Sequence, residues 1–386
     1  MQLLDFDSTR FLRDTWQQHP LLIRNPWAAW RNPLEPDELA GLACEDGVES
    51  RLITHSRKAL RSEHGPFAEK RFGKLGKAPW SLLVQAADHH APQVAELIAP
   101  FRFIPNWRID DVMVSYASDG GGVGPHFDQY DVFLVQGLGR RRWQLGARCD
   151  EDTPLLPHDD LRLLARFEPT AEWLLEPGDI LYIPPGVAHN GIAEGDGCMT
   201  YSIGFRAPSR AELIAGWCDD LVAGLEDGDR YADPGLPAQD NPGEISPAAL
   251  AALQAMVTEK LADRAAFARW FGAFATTRKY PDLDWHPDEP MEQAQVRALL
   301  EGGADLIRNP ASRFSFIRGE AGAVSLFVDG ECHECHGEAG LLAERLCASE
   351  RLAGAADRQS PDAVAELIAG LFNRGSIAFE DGGSSD

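Results

Sequence analysis

Between Phe101 and Pro208, apolar and polar positions alternate over short runs broken by turn residues, a pattern that predicts strands. The runs are Asp111 to Ala117 (DVMVSYA), Asp131 to Gln136 (DVFLVQ), Arg140 to Leu145 (RRRWQL), Asp179 to Ile183 (DILYI) and Thr200 to Phe205 (TYSIGF). All are rich in β-branched and aromatic residues, which suit a pleated, half-buried surface. Gly120 to Gly122, Gly137 to Gly139 and Pro184 to Gly186 separate them. Many short strands with this punctuation predict a sandwich or barrel in place of alternating strand and helix units.

Residues 1 to 100 mix helical spacing at Pro36 to Ala43, Ser81 to His89 and Ala91 to Ile98 with irregular stretches, and are expected to flank and cover the barrel. After Pro208 the pattern turns helical over Arg210 to Leu225, and then Glu226 to Glu244 is an acidic Gly/Pro/Asp stretch that reads as a surface loop. Ser246 caps a long amphipathic helix with Pro247 in its first turn, expected to run to about Phe274. Beyond residue 280 come a helix (Glu292 to Glu301), a strand pair (Arg313 to Arg318 and Val324 to Val328) and two helices (Ala339 to Ala348 and Pro361 to Phe372). A helix-plus-hairpin unit of this kind resembles a winged helix, and Glu380 to Asp386 reads as a disordered tail. There is no internal repeat.

Composition and charge narrow the picture. A chain of 386 residues exceeds one ordinary core, so two or three folding units are expected. The hydrophobic fraction of 44% and charged fraction of 25% are those of a folded globular protein. The formal charge of −24 argues against general binding to nucleic acid and suits a basic partner; with few clustered Lys or Arg in the carboxy-terminal unit, no direct DNA binding is expected there. No apolar run reaches the ~18 residues a membrane helix needs, and Met1 to Arg13 lacks the apolar core of a secretory signal. Seven scattered cysteines, an odd number, fit a reducing cytoplasm better than a disulfide framework.

The candidate chemistry begins at Pro125-His126-Phe127-Asp128. On an extended strand His126 and Asp128 point the same way and Phe127 oppositely, so one imidazole and one carboxylate can meet one metal ion. The stretch from Gly178 through Pro184-Pro185-Gly186 to His189 is a strand, a turn and a histidine at the start of the returning strand. Two histidines and one carboxylate on one facet leave the opposite positions open, an arrangement that favours Fe(II) acting on O2; the alternative is a degenerate site that holds no metal. In Arg140 to Leu145, period-2 alternation puts Arg141 on the apolar face with Trp143 and Leu145. An inward guanidinium needs an anionic partner, and the distal carboxylate of 2-oxoglutarate supplies one in the planar geometry that Arg binds bidentately. A structural ion pair is the plainer reading.

Other features carry less. Gly120 to Gly124 lacks the Lys-Ser/Thr of a phosphate loop and reads as a tight turn. Cys332, His333, Cys335 and His336 offer zinc-type donors without a second ligand pair and read as the exposed end of a hairpin. His55, His89 and His158 read as surface or core residues.

The stretch Phe103-Ile-Pro-Asn-Trp-Arg-Ile-Asp-Asp-Val-Met-Val-Ser, followed by Gly-Gly-Gly-Val-Gly-Pro-His126-Phe-Asp128-Gln-Tyr-Asp-Val-Phe and Gly-Arg-Arg-Arg-Trp, resembles the bacterial ribosomal oxygenases. The amino-terminal Phe11-Leu-Arg-Asp-Thr-Trp-Gln-Gln-His-Pro and Trp80-Ser-Leu-Leu-Val-Gln are similar to that family too. The second cupin motif often carries Asn four residues after its histidine, and here Ala193 stands there. The resemblance implies a mainly β double-stranded β-helix of the cupin/JmjC type in residues 1–208, a helical dimerisation region in 209–278 and a winged-helix domain in 279–386, and hence a homodimer. It implies a protein hydroxylase using Fe(II), 2-oxoglutarate and O2 on an arginine of the large-subunit ribosomal protein called L-sixteen. His126, Asp128 and His189 are then the iron ligands, Arg141 anchors 2-oxoglutarate, and Asp111, Tyr130 and Ser202 bind the substrate arginine. The rival readings are a JmjC-type demethylase, a hydroxylase of another basic protein, and a non-catalytic cupin that binds a partner.

Overall fold

The computed structural model describes residues 2–56, 60–353 and 362–380. The chain divides into two compact units, Met1–Ala207 with Asn309–Ala311, and Pro208–Arg308 with Ser312–Asp386. No described helix is long and apolar enough to cross a membrane.

The first unit runs through α1 (Ser8–Asp14), β1 (Leu21–Ile23), α2 (Pro36–Leu42), β2 (Ser50–His55), β3 (Leu60–His64), β4 (Trp80–Val84) and α3 (Pro92–Ala95). It continues as β5 (Ile109–Ala117), β6 (Asp131–Arg148), β7 (Ala171–Leu175), β8 (Ile180–Ile183) and β9 (Val187–Phe205). These strands form one antiparallel sheet in the order β1-β8-β6-β9-β5-β4-β2-β3, with β7 also on β6. The β6 and β9 strands pair along their whole length, from Asp131 opposite Phe205 to Arg148 opposite Val187. The two runs predicted over Asp131 to Gln136 and Arg140 to Leu145 are therefore one strand. Its register shifts at Gln136, Leu138 and Arg140, around Gly137 and Gly139, where small residues let the ribbon bend without ending.

Alternation along this ribbon sorts two faces. Phe133, Val135, Met199, Tyr201, Ile203 and Phe205 enter the larger core with Phe11, Leu39, Val94 and Phe101 of the flanking segments. The Phe133 ring lies 4.6 Å from that of Phe101 and 4.9 Å from that of Tyr182. Each such buried ring contributes roughly 1.5–3 kcal/mol relative to exposure. The other face carries Val132, Leu134, Trp143, Leu145 and Leu175 in a second cluster, together with the buried polar residues Gln136, Arg141 and Thr200.

The amino-terminal segment departs from its predicted helices. Ser81 to His89 is β4 followed by a 3-10 turn at Ala87–His89, because Ser81-Leu-Leu-Val lies between β2 and β5 and is buried on both faces. A continuous apolar run of that length shows no alternation and is not separable from a helix by pattern. The helix predicted at Ala91 to Ile98 is four residues of α3 that tighten into a 3-10 turn holding Pro100, a residue that cannot extend the α-helical bonding.

The second unit holds α4 (Arg210–Ala223), α5 (Pro247–Leu261), α6 (Arg264–Thr276), α7 (Gln293–Glu301), α8 (Glu338–Ala348) and α9 (Asp362–Asn373). The helix expected from Ser246 to Phe274 is interrupted: Asp263 accepts the Ala266 N–H at 2.9 Å and starts α6 afresh. Trp217 of α4 packs on Phe267 and Trp270 of α6, each with ring centroids 5.6 Å away. Two three-stranded sheets complete the unit. One is β11 (Phe314–Arg318), β12 (Val324–Val328) and β13 (Glu331–Cys335); the other orders β14 (Arg351–Leu352), β10 (Asp305–Arg308) and β15 (Ile377–Glu380). Their core is Val296, Leu306, Phe314, Leu326, Leu346 and Ile368 with neighbours from α8 and α9. Glu380, expected to open the tail, is instead paired with Asp305 in β15; residues 381–386 and Pro361 lie outside the described residues.

Candidate metal centre

His126 and His189 exchange main-chain hydrogen bonds, His126 N–H to the His189 carbonyl at 3.0 Å and His189 N–H to the His126 carbonyl at 2.8 Å. The turn before His189 closes against the same segment, because Gly186 donates its N–H to the Asp128 carbonyl at 2.7 Å. Gly186 sits at φ +78, a left-handed conformation that favours glycine. Backbone bonding thus gathers three residues that are far apart in sequence. Among the described residues they are the single group of three or more His, Cys, Asp or Glu side chains placed to hold one metal ion, with one ligand atom from each within 4.8 Å of the others.

The tautomers are fixed by what each ring faces. His126 Nδ1 lies 2.9 Å from the Gly124 carbonyl and His189 Nδ1 lies 2.9 Å from the Val187 carbonyl. A carbonyl only accepts, so each Nδ1 carries hydrogen and each Nε2 keeps its lone pair for a metal. His189 Nε2 is 3.6 Å from Asp128 Oδ2, and the two imidazole centroids are 4.3 Å apart. Burial, then the charge of a protonated His126, push the His189 pKa down to about 4 against the opposing pull of Asp128. Two neutral imidazoles and a carboxylate on one facet are the donor set that Fe(II) takes with positions left open.

Arg141 is buried at 5% exposure, as are Trp143 and Leu145, while Arg142 turns outward to Glu172 and Glu194. Arg141 stands opposite Ala193 and Leu145 opposite His189, so roughly 13 Å of strand separates the guanidinium's rung from the histidine's. Arg141 Nε donates to Cys198 Sγ at 3.4 Å, and Gln136 Nε2 donates to the same sulfur at 3.4 Å. Arg141 Nη2 is buried with no hydrogen-bond partner among the described residues. A buried cation with an idle donor marks a place for an anion. A keto diacid held at the metal and turned towards the inward Arg141 side chain would supply that anion, so the donor set and the idle guanidinium suit iron and a keto diacid.

The Asp111 carboxylate is buried, and its Oδ2 accepts from Gln85 Nε2 at 2.7 Å and from the Ala86 N–H at 2.8 Å. Tyr130 is half-exposed, and its phenol is held above its ordinary pKa by desolvation and then by the charges of Asp128, Asp111 and Asp110. Ser202 lies opposite Met113 and Leu134, on the strand face shared with Thr200 and Gly204. Asp111 reaches that face, with Oδ1 3.7 Å from where a Cβ on Gly204 would stand. Gln85 and the Gln136–Cys198 pair were missed from the sequence. Gln85 fell within the stretch taken for a helix, and nothing in the pattern around Cys198 distinguishes it from an ordinary strand cysteine.

The remaining candidates fall apart. Cys332 and Cys335 are three residues apart on β13 and so face opposite sides, and burial pushes the Cys335 thiol up to about 11. That segment is a paired strand with Cys335 buried in the core, not the exposed end of a hairpin. His55 and His158 face backbone carbonyls of Gly122 and Leu60, and all seven cysteines are free.

Comparison with known families gives the class. A JmjC domain matches residues 96–213, a ROXA-like winged helix matches 259–378, and an AraC-like ligand binding domain matches 170–270. The first unit is accordingly a JmjC-type oxygenase barrel. The "Ribosomal protein uL16 3-hydroxylase" of Escherichia coli is 42% identical over 299 residues, spanning 77% of this chain and 79% of that protein. A "Probable ribosomal oxygenase" of Haemophilus influenzae is 37% identical over 309 residues, 75% of this chain and 74% of that one. The crystal structure of YcfD, a ribosomal oxygenase from Escherichia coli in complex with cobalt and 2-oxoglutarate, superposes with a TM-score of 0.86 at 36% identity, over 98% of this chain and 99% of that one. The chain belongs to the ribosomal oxygenase family.

Proposed function

We propose that this chain is an Fe(II)- and 2-oxoglutarate-dependent arginine 3-hydroxylase of ribosomal protein uL16, with His126, Asp128 and His189 holding the metal. The observation that carries the reading is the idle, buried Nη2 of Arg141 on the barrel face that leads to the histidine pair. When bound, ferrous iron, 2-oxoglutarate and O2 supply the oxidising chemistry that places one oxygen on a C–H carbon and releases succinate and CO2. Arg141 neutralises and aligns the distal carboxylate of the keto acid, while Trp143 and Leu145 keep water from it. Asp111 accepts the substrate guanidinium, Tyr130 lies against its plane, and Ser202 adds a hydroxyl acceptor. Intact-mass analysis of ribosomal proteins from cells with and without this gene is expected to differ by one oxygen on uL16 alone. Loss of a methyl group in its place, or a change on another basic protein, would replace this reading with a demethylase or a different substrate.

The net charge of −24 favours encounter with a basic ribosomal protein, a gain in association rate more than in affinity. A ribosomal protein substrate and seven free cysteines support a cytoplasmic location in this reading. The 209–278 segment is the dimerisation region in this reading. On α5 no residue is buried, and Leu250, Leu253, Val257 and Leu261 are 41–60% exposed at spacings that share one helix face. A second copy of the chain covers that stripe. Leu250→Asp with Val257→Asp is expected to halve the mass measured by light scattering, and an unchanged mass would refute it.

A further inference from the structure

The carboxylate assigned to the substrate guanidinium is held by two donors that belong to no predicted site. Asp111 is 3% exposed, and one of its oxygens, Oδ2, takes both the Gln85 side-chain amide and the Ala86 main-chain N–H. Gln85 is itself tied down: it follows β4 directly, and its own N–H donates to the Glu49 carbonyl at 2.9 Å, extending the β2–β4 pairing by one rung. Ala86 is fully buried and sits at φ +48, ψ +40. That left-handed conformation is strained for alanine and persists only where the surroundings over-determine it.

A carboxylate's terminal torsion is broad and nearly two-fold, so an unpinned Asp samples many directions. Two N–H donors on one oxygen remove that freedom before any ligand arrives, and a pre-oriented acceptor spares the ordering cost on binding. A guanidinium rewards this more than a single-point cation does, because its donors form a rigid planar fork. We propose that Gln85, with the Ala86 N–H, is a positioning residue that fixes the Asp111 carboxylate at the angle required for an arginine side chain, and so sets the enzyme's preference for arginine. This rests on the reading of Asp111 as the acceptor for the substrate guanidinium.

The test measures peptide affinity by calorimetry, without O2, on the full chain loaded with ferrous iron and 2-oxoglutarate. Two probes are used: a uL16 peptide spanning the modified arginine, and the same peptide with citrulline, which keeps the shape and loses the charge. Gln85→Met keeps the volume and removes the donor. It is expected to weaken the arginine peptide about tenfold and leave the citrulline peptide unchanged, so the arginine preference falls about tenfold. Gln85→Asn, whose amide is one methylene short, is expected to lie between, and serves if the Met variant does not fold. In the Asp111→Asn background, Gln85→Met is expected to cost nothing further. A preference that survives Gln85→Met and Gln85→Asn, or a loss that is equal in both backgrounds, overturns the positioning role while leaving Asp111 in place. If Asp111→Asn alone preserves the arginine preference, the acceptor reading itself fails and takes this inference with it.

Discussion

His126→Ala is expected to abolish metal retention and turnover together. The residue supplies one of three ligand atoms and, through its main-chain bonds, half of the bridge that carries His189. The main-chain bonds survive the substitution, so the fold is retained and only the imidazole is lost. If metal-assisted chemistry contributes several kcal/mol, its loss lowers succinate release at least about 10^3-fold. Calorimetric titration with Co(II) is expected to show parallel loss of binding in His126→Ala and Asp128→Ala. Chelation of the wild-type protein should stop turnover, and ferrous iron should restore it. Turnover that persists in His126→Ala at near wild-type rate would remove these residues from the chemistry.

Arg141→Met is expected to move activity and stability in opposite directions. In the folded chain the guanidinium is buried over the Trp143 ring, its Nε donating to a sulfur and its Nη2 without a hydrogen-bond partner among the described residues. A volume-conserving apolar side chain removes an uncompensated buried charge, which stabilises by about 1 kcal/mol or more. For the unit Met1–Ala207 that holds Arg141, this corresponds to a rise of roughly 2–4 °C in its thermal midpoint. If Arg141 anchors the keto acid as proposed, the same change deletes a charge-assisted contact to it, so KM for 2-oxoglutarate should rise about 100-fold while metal affinity is kept. Thermal unfolding without ligands and steady-state titration of 2-oxoglutarate read the two effects separately. A variant that melts lower and keeps its KM would make Arg141 a structural cation.

Much of this site is legible in the sequence because it depends on period-2 geometry. Arg141 with Trp143 and Leu145 follows from alternation alone, and the burial of all three obeys it, whereas His126 forms only an isolated bridge to His189 and Asp128 lies outside any strand, so that pair meets without the extended strand expected. β5, β6, β8 and the end of β9 declare themselves by the same alternation, while β7 was not predicted and the first half of β9 only as a returning strand beginning at His189. The interior of residues 1–100 did not, since β4 is covered on both faces and a fully apolar tetrapeptide carries no period. Gln85 was hidden with it: its role comes from a strained residue one position later and a carboxylate 26 positions away, neither of which leaves a local signature. The break between α5 and α6 was missed because Asp263 competes as a cap inside an otherwise helical stretch. Cys332 to His336 matched a zinc inventory in composition, yet an odd spacing on a strand splits its two thiols.

The reciprocal main-chain bonds between His126 and His189, with the Gly186 N–H on the Asp128 carbonyl, set the spacing of the three donors through the backbone. Intrinsic affinity rises from iron towards copper for such donors, so two imidazoles and a carboxylate do not by themselves favour iron over its neighbours, and the cell's available metal pool weighs on which cation is bound. Mismetallation, more than unfolding, is the failure to expect when that pool shifts.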